Sequence, residues 1–164
     1  AAGDQLIAFG LSEKDAGSDA GSMATTATRD GAHYVLNGEK KWNTGGAVAS
    51  LNTIFAVTTP GRGARGISGL VVERDTPGYR VGKHEDKMGL RAAKTVGLTI
   101  EDMEIPAENG LGKEGDGFKL AMIAYDTGSQ VVWDNANGQI VGNAAANGLL
   151  KREYRQPWKH PHRG

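Results

Sequence analysis

Trp42 and Thr44 stand two residues apart at the end of a β-type run, Glu39 to Trp42. The indole offers a large flat apolar face, and a threonine hydroxyl both donates and accepts a hydrogen bond. At a strand end the pair suits a planar ligand with polar edge atoms, although an isolated tryptophan after a hairpin is usually core packing. A second group lies earlier in the chain, where Gly17 and Ser18 follow the first strand-like run and Ser12 precedes them. Such a turn leaves backbone N–H groups accessible, and the two serines add hydroxyls that can meet polar ligand edges. An ordinary Asx-rich turn is the plainer reading of those residues.

Other chemistries find less support. The chain has no cysteine, which removes disulfides, thiolate metal sites and a cysteine nucleophile. His33, His84, His160 and His162 show no ligand spacing, so no metal is expected. Gly61 to Gly66 superficially matches a dinucleotide fingerprint, but its glycine spacing is wrong and it joins two strands. Lys87 to Arg91, following Glu85 and Asp86, reads as a mixed-charge surface turn. Glu13, Glu39 and Glu101 read as turn or surface carboxylates. Lysine plus arginine number 19 against 19 acidic residues, so nucleic acid is not an expected partner. No apolar run of about 18 residues is present, and Ala1 to Asp4 lacks the order of a secretory signal. A soluble intracellular protein, cytoplasmic or of the mitochondrial matrix, is expected.

The elements that must position these residues are mainly strands. With 164 residues, one core of ordinary size is available. Leu6 to Leu11 reads as a first strand. Met23 to Arg29, His33 to Leu36 and Glu39 to Trp42 are separated by Asp30-Gly31 and Asn37-Gly38, which predicts a three-stranded antiparallel meander with two tight turns. Thr53 to Thr58, Ile67 to Glu73, Tyr79 to Lys83 and Val96 to Glu101 follow at even spacing, as in an antiparallel barrel or sandwich. Phe118, Ala121, Met122 and Tyr125 share one helical face, so a helix is expected after Gly117. Asn135, Asn137, Gly138, Gly142, Asn143, Asn147 and Gly148 favour turn over helix beyond it, and the tail around Pro157 and Pro161 cannot be regular helix. The division expected is a β domain over 1–114 and a helical segment with an irregular tail over 115–164.

Four segments in this order resemble the acyl-CoA dehydrogenase family: Leu11 to Asp19, Leu36 to Thr44, Glu85 to Arg91, and Gly115 to Lys119. With Gly66 to Gly69 and Thr76 to Gly78 between them, the resemblance covers residues 6 to about 126. It implies the middle β domain of an enzyme that also has an N-terminal helical domain and a C-terminal four-helix domain, with FAD and an acyl-CoA thioester held between them. The parent is expected to be a homo-oligomer that passes electrons to an electron-transfer flavoprotein or another acceptor. By that resemblance Phe9, Leu11, Ser12, Gly17 and Ser18 line the flavin, and Ser18 also meets the acyl-CoA. Trp42 packs on the isoalloxazine and the Thr44 hydroxyl reaches N5. Asn43 lies between them, where the family more often has isoleucine. Tyr125 and Asp126 match residues that help bind CoA.

The departures are specific. Lys14 replaces a proline in the first segment, Ser129 stands where the CoA-binding arginine belongs, and Glu153 to Trp158 lacks the arginine and phenylalanine-glycine that reach a neighbouring subunit's flavin. The family reaction is an α,β-dehydrogenation that needs a glutamate to take the α proton. Most members supply it from the C-terminal domain; some place it where this chain has Gly128. No catalytic residue is therefore assigned here. The alternatives are a non-catalytic β-domain binding module, or an acyl-CoA oxidase or flavin monooxygenase on the same scaffold.

Overall fold

The computed structural model describes residues 5–127, 133–134 and 139–149. The chain divides into two compact units, 1–118 and 119–164. The first is built on an eight-stranded sheet: β1 (Ile7–Gly10), β2 (Thr26–Asp30), β3 (His33–Thr44), β4 (Leu51–Val57), β5 (Ile67–Glu73), β6 (Tyr79–His84), β7 (Thr95–Pro106) and β8 (Gly110–Leu111). The sheet order is β6-β7-β3-β2-β4-β5-β8, with β1 also paired to β4. The path ends at β6 and β8 and is not closed, so the barrel alternative does not hold. It is mixed rather than wholly antiparallel, because β1 pairs β4 in parallel over Ile7 to Gly10 and β2 meets β4 in parallel at Thr26 and Val57. Parallel neighbours need a long crossover, and the β2–β3 hairpin lies within the one between β1 and β4.

Both halves of the sheet share one apolar core. Leu36, Val96, Leu98, Ile100 and Met103 from β3 and β7 cluster with Ile54, Ala56, Leu70 and Val72 from β4 and β5. β4 is buried along most of its length, as expected of a strand with neighbours on every side.

The expected meander is half present. Gly31, at φ +56°, turns β2 into β3 with Asp30 paired to His33. At Asn37-Gly38 no turn forms, and β3 runs on to Thr44 as one twelve-residue strand. Two local facts override the turn signal there. A side chain on Gly38 would lie 2.7 Å from the Cα of Thr25 and 2.5 Å from its Oγ1, so this glycine serves a close chain approach. Asn37 in turn secures a bulge in β7: its amide donates to Asp102 (3.0 Å) and its carbonyl accepts the Asp102 N–H (2.8 Å), with Asp102 at φ +45°. The register steps from Leu36–Met103 to Gly38–Ile100, one residue longer on β7.

In the second unit, α1 (Gly117–Thr127) forms where the periodicity places it. Its buried face includes Leu120, Ala121 and Ile123, while Met122 is exposed, so the apolar stripe is rotated from the expected one. A short hairpin joins β9 (Trp133–Asp134) to β10 (Gln139–Ile140), and α2 (Ala144–Leu149) follows. Asn147 and Gly148, expected in a turn, are helical. The Asn143 side chain accepts the Ala146 N–H (2.9 Å) as an N-cap, and the Asn147 side chain is committed to both backbone groups of Ile140. The expectations for Ser129, Gly128 and the tail from Glu153 lie outside the described residues. Among the described residues no helix is long and apolar enough to cross a membrane.

Gly38→Ala separates the two uses of glycine. At Gly31 nothing lies within 4 Å of an added Cβ, so Gly31→Ala meets only the left-handed backbone cost, about 1 kcal/mol. Gly38→Ala must also displace Thr25, and a loss of about 1–3 kcal/mol beyond the Gly31 variant is expected in urea unfolding. Equal losses would refute the close-approach role.

Candidate functional site

The two sequence-distant groups meet where residues 10–12 run beside 40–43. Gly10 brings its Cα against Asn43, whose amide would sit 3.0 Å from an added Cβ. One step on, the Lys41 N–H donates to Ser12 O (2.9 Å), and Lys40 Nζ donates to Leu11 O (3.2 Å). The segment leaving β1 is therefore laid along β3 up to the residue before Trp42. It then closes a turn through the Glu13 N–H to Ala16 O bond (3.1 Å), so the missing proline at Lys14 does not prevent the turn. Gly17 and Ser18 lie exposed at its tip, and nothing stands within 4 Å of the Gly17 Cβ position.

Trp42 is turned outward by a second bulge. Tyr34, Leu36 and Lys40 are buried, on the inward parity of β3, and simple alternation would bury residue 42 as well. Instead the register steps from Lys40–Leu98 to Asn43–Val96, one residue longer on β3, and Trp42 takes φ +54°. After the step Asn43 is buried while Trp42 and Thr44 are exposed. A bulky residue in the left-handed region costs about 1–2 kcal/mol, and such outliers concentrate where function requires them. The indole is 55% exposed, and Phe9 on the outer face of β1 is 47% exposed. The Phe9 ring leans on Phe55 at 4.9 Å and 55°, which fixes the ring while leaving a side open.

Asn43 is a different kind of member. Its side chain is buried and exchanges hydrogen bonds with Asn52 (3.3 and 3.5 Å), which also donates to the Tyr79 hydroxyl (3.0 Å). These contacts commit its amide to anchoring the bulge from within. Tyr125 and Asp126 lie on α1 in the second unit, and their side chains fall outside the described residues.

The sequence reading missed one residue pair. Glu13, expected at the surface, is 7% exposed and bridges to the fully buried Lys40 at 2.8 Å. The same carboxylate accepts the Ala24 N–H (2.6 Å), the Thr25 N–H (3.0 Å) and the Thr25 hydroxyl. Burial pushes the carboxyl pKa up, but the bonds from Lys40, Thr25 and Ala24 outweigh it and hold Glu13 below the ordinary carboxylate range. Burial likewise lowers Lys40, and Glu13 offsets part of that. The available signal was parity: Lys40 shares the inward face with Tyr34 and Leu36, and a lysine there demands an anionic partner. Glu39 and Glu101 are surface carboxylates as expected, beside Lys41 (3.7 Å) and Arg80 (2.8 Å). Among the described residues no cluster of potential metal ligands occurs.

Residues 8–103 match the model of the acyl-CoA dehydrogenase middle domain. The chain belongs to the acyl-CoA dehydrogenase family. It is 48% identical over 128 residues to an acyl-CoA dehydrogenase of Bacillus subtilis, covering 78% of this chain and 34% of that protein. The structure of butyryl-CoA dehydrogenase from Megasphaera elsdenii superimposes with a TM-score of 0.74 at 45% identity, over 76% of this chain and 33% of the other. A structure described as an FAD-dependent dehydrogenase matches at 0.70 and 38% identity, over 73% and 33%. This chain thus spans about a third of the length of the family members it resembles.

The Glu13 carboxylate makes stability depend on acid. Its folded pKa lies below its unfolded one, so its contribution is fully present above the ordinary carboxylate pKa, about 4.3, and is lost as pH falls through the folded value. Urea unfolding of the native chain is expected to weaken on acidification below that range. Glu13→Gln should flatten this slope while lowering stability near neutrality; an unchanged slope would remove Glu13 from the acid response.

Proposed function

We propose that this chain is the flavin-holding module of an FAD-dependent oxidoreductase that desaturates acyl-CoA thioesters between Cα and Cβ, with residues 115–164 beginning its helical domain. The observation that carries the reading is Trp42: an exposed indole held at positive φ on a bulge of the strand against which the segment from Phe9 toward the exposed Gly17-Ser18 tip is bonded, at Lys40–Leu11 and Lys41–Ser12. Family membership supports it, because the relatives reported above are named for acyl-CoA and FAD.

The residues present fit a flavin. Trp42 and Phe9 supply flat apolar surface, Thr44 an exposed hydroxyl two residues from the indole, and Gly17 and Ser18 an exposed polar turn, while Leu11 and Ser12 are half-buried with their carbonyls bonded to Lys40 and Lys41. FAD, when bound, supplies the two-electron acceptor for the hydride leaving the β carbon. This chain's own residues would bind and orient: Trp42 would pack on the ring system, the Thr44 hydroxyl would offer it a hydrogen bond, and Ser18 would offer another toward the thioester. The α-proton acceptor comes from outside this set. Glu13 is buried under Lys40, and Glu39 and Glu101 sit in exposed ion pairs. The parent is a soluble intracellular homo-oligomer, cytoplasmic or of the mitochondrial matrix, that hands electrons to an electron-transfer flavoprotein or a comparable acceptor.

A second reading, a module that binds without oxidising, draws on Gly128, where some family members place the catalytic carboxylate, and Ser129, where the family's CoA-binding arginine belongs. Titration of the purified chain with FAD, followed by butyryl-CoA, tests both. The expected result is a shifted flavin band and no bleaching by the thioester. Bleaching would show that a base is present after all, and absence of any flavin binding would favour the bare module. Trp42→Asn sharpens the test, because asparagine tolerates the left-handed backbone. It should keep stability within about 1 kcal/mol of native while weakening FAD binding at least tenfold. Unchanged FAD affinity in this variant would remove the indole from the site.

A further inference from the structure

The Glu13–Lys40 pair lies beneath the candidate site, and the mechanism above makes no use of it. Its bonds show what it holds. The Lys40 ammonium donates to Leu11 O (3.2 Å) and Glu13 Oε1 (2.8 Å) and touches Met23 Sδ at 3.7 Å. The Glu13 carboxylate receives the N–H groups of Ala24 and Thr25. One buried ion pair thus ties the entry of the 11–25 segment, at Leu11 and Glu13, to its exit, at Met23 to Thr25. Between those anchors Lys14, Asp15, Gly17, Ser18 and Asp19 lie in solvent. The strand that carries Lys40 carries Trp42 two residues later, past the Lys41 N–H to Ser12 O bond.

An apolar pair could fill the same volume at equal or better stability, since desolvation consumes much of what a buried ion pair gains. It could not hold Leu11 O, Ala24 N–H and Thr25 N–H together, and of these the Thr25 N–H is buried and requires a partner. The charge is therefore spent on holding loop backbone against β3.

We propose that Glu13 and Lys40 are positioning residues, which fix the exposed Gly17-Ser18 tip and the Trp42 indole relative to one another so that both address the same bound ligand. Neither side chain touches that ligand. The proposal rests on the flavin reading of the site for what the ligand is, and on the ion pair's own geometry for the coupling.

The test uses the full chain with Trp133→Phe and Trp158→Phe, which leaves Trp42 as the sole tryptophan. Two quantities are measured: acrylamide quenching of Trp42 without FAD, and the Kd for FAD. The charge-free Glu13→Gln/Lys40→Met variant is expected to change the quenching constant about twofold and to weaken FAD binding at least tenfold. Ile105→Val, a core trim at the far end of β7, controls for loss of packing alone and should move neither quantity. Should the double variant not fold, Glu13→Gln alone, which keeps one of the two acceptor oxygens that serve Ala24 and Thr25, is read in its place with the same expectations. An ion-pair variant that leaves quenching unchanged overturns the proposal, as does Ile105→Val changing both quantities equally. If the native chain binds no FAD, the flavin reading fails, and quenching alone then decides whether the pair positions Trp42.

Discussion

A lysine ammonium inside a β core must find oxygen atoms on whichever chain crosses it. At Lys40 that chain is the segment leaving β1. Leu11 O and the Glu13 carboxylate take the ammonium, the carboxylate then collects the amides of Ala24 and Thr25, and the path from β1 to β2 is fixed at both ends. Most of the local architecture follows from this arrangement. The Lys41–Ser12 backbone bond extends the contact toward Trp42, and an added Cβ on Gly10 would press on the side chains of Ile54 and Asn43. Electrostatic cost is accepted in the interior, and a defined loop results.

The two bulges between β3 and β7 act in opposite senses. Near Asp102 the extra residue is on β7; near Trp42 it is on β3, so the strands leave and regain step within twelve residues. Each bulge places a non-glycine residue at positive φ, and each has support from asparagine: Asn37 grips Asp102 from outside, and Asn43 with Asn52 holds the Trp42 bulge from within. A register slip of one residue would send Trp42 into the core and Asn43 to the surface, so this polar anchoring decides which face the indole presents.

What was legible in the sequence divides along the range of the forces involved. β5 was read to the residue, and β1, β4 and β6 nearly so, because β-branched runs between turn signals are local patterns. Trp42, Thr44 and the Gly17-Ser18 turn stood out by type and spacing, reinforced by family resemblance. Asn37-Gly38 misled because the same dipeptide that makes a hairpin turn also permits close approach to Thr25 and the capping of a bulge 65 residues away. Glu13 misled because its burial depends on a lysine 27 positions on, although the inward parity of Lys40 carried that information. The open sheet and its parallel pairings depend on how distant strands meet, which short windows do not encode.

The pairing of β3 with β7 also sets an order of events during synthesis. His33 pairs with Pro106 and Thr44 with Thr95, so every rung of this ladder joins residues about fifty to seventy positions apart. Until β7 has left the ribosome, β3 has only β2 on one side, and the bulge that turns Trp42 outward lacks the partner strand that defines it. The β2–β3 hairpin can pair earlier around Ala27, Tyr34 and Leu36, whereas the indole acquires its final direction after Val96 to Leu98 have emerged. A nascent chain arrested between β6 and β7 would display a long half-paired strand with an unplaced tryptophan, the kind of edge that chaperones cover and neighbouring chains exploit.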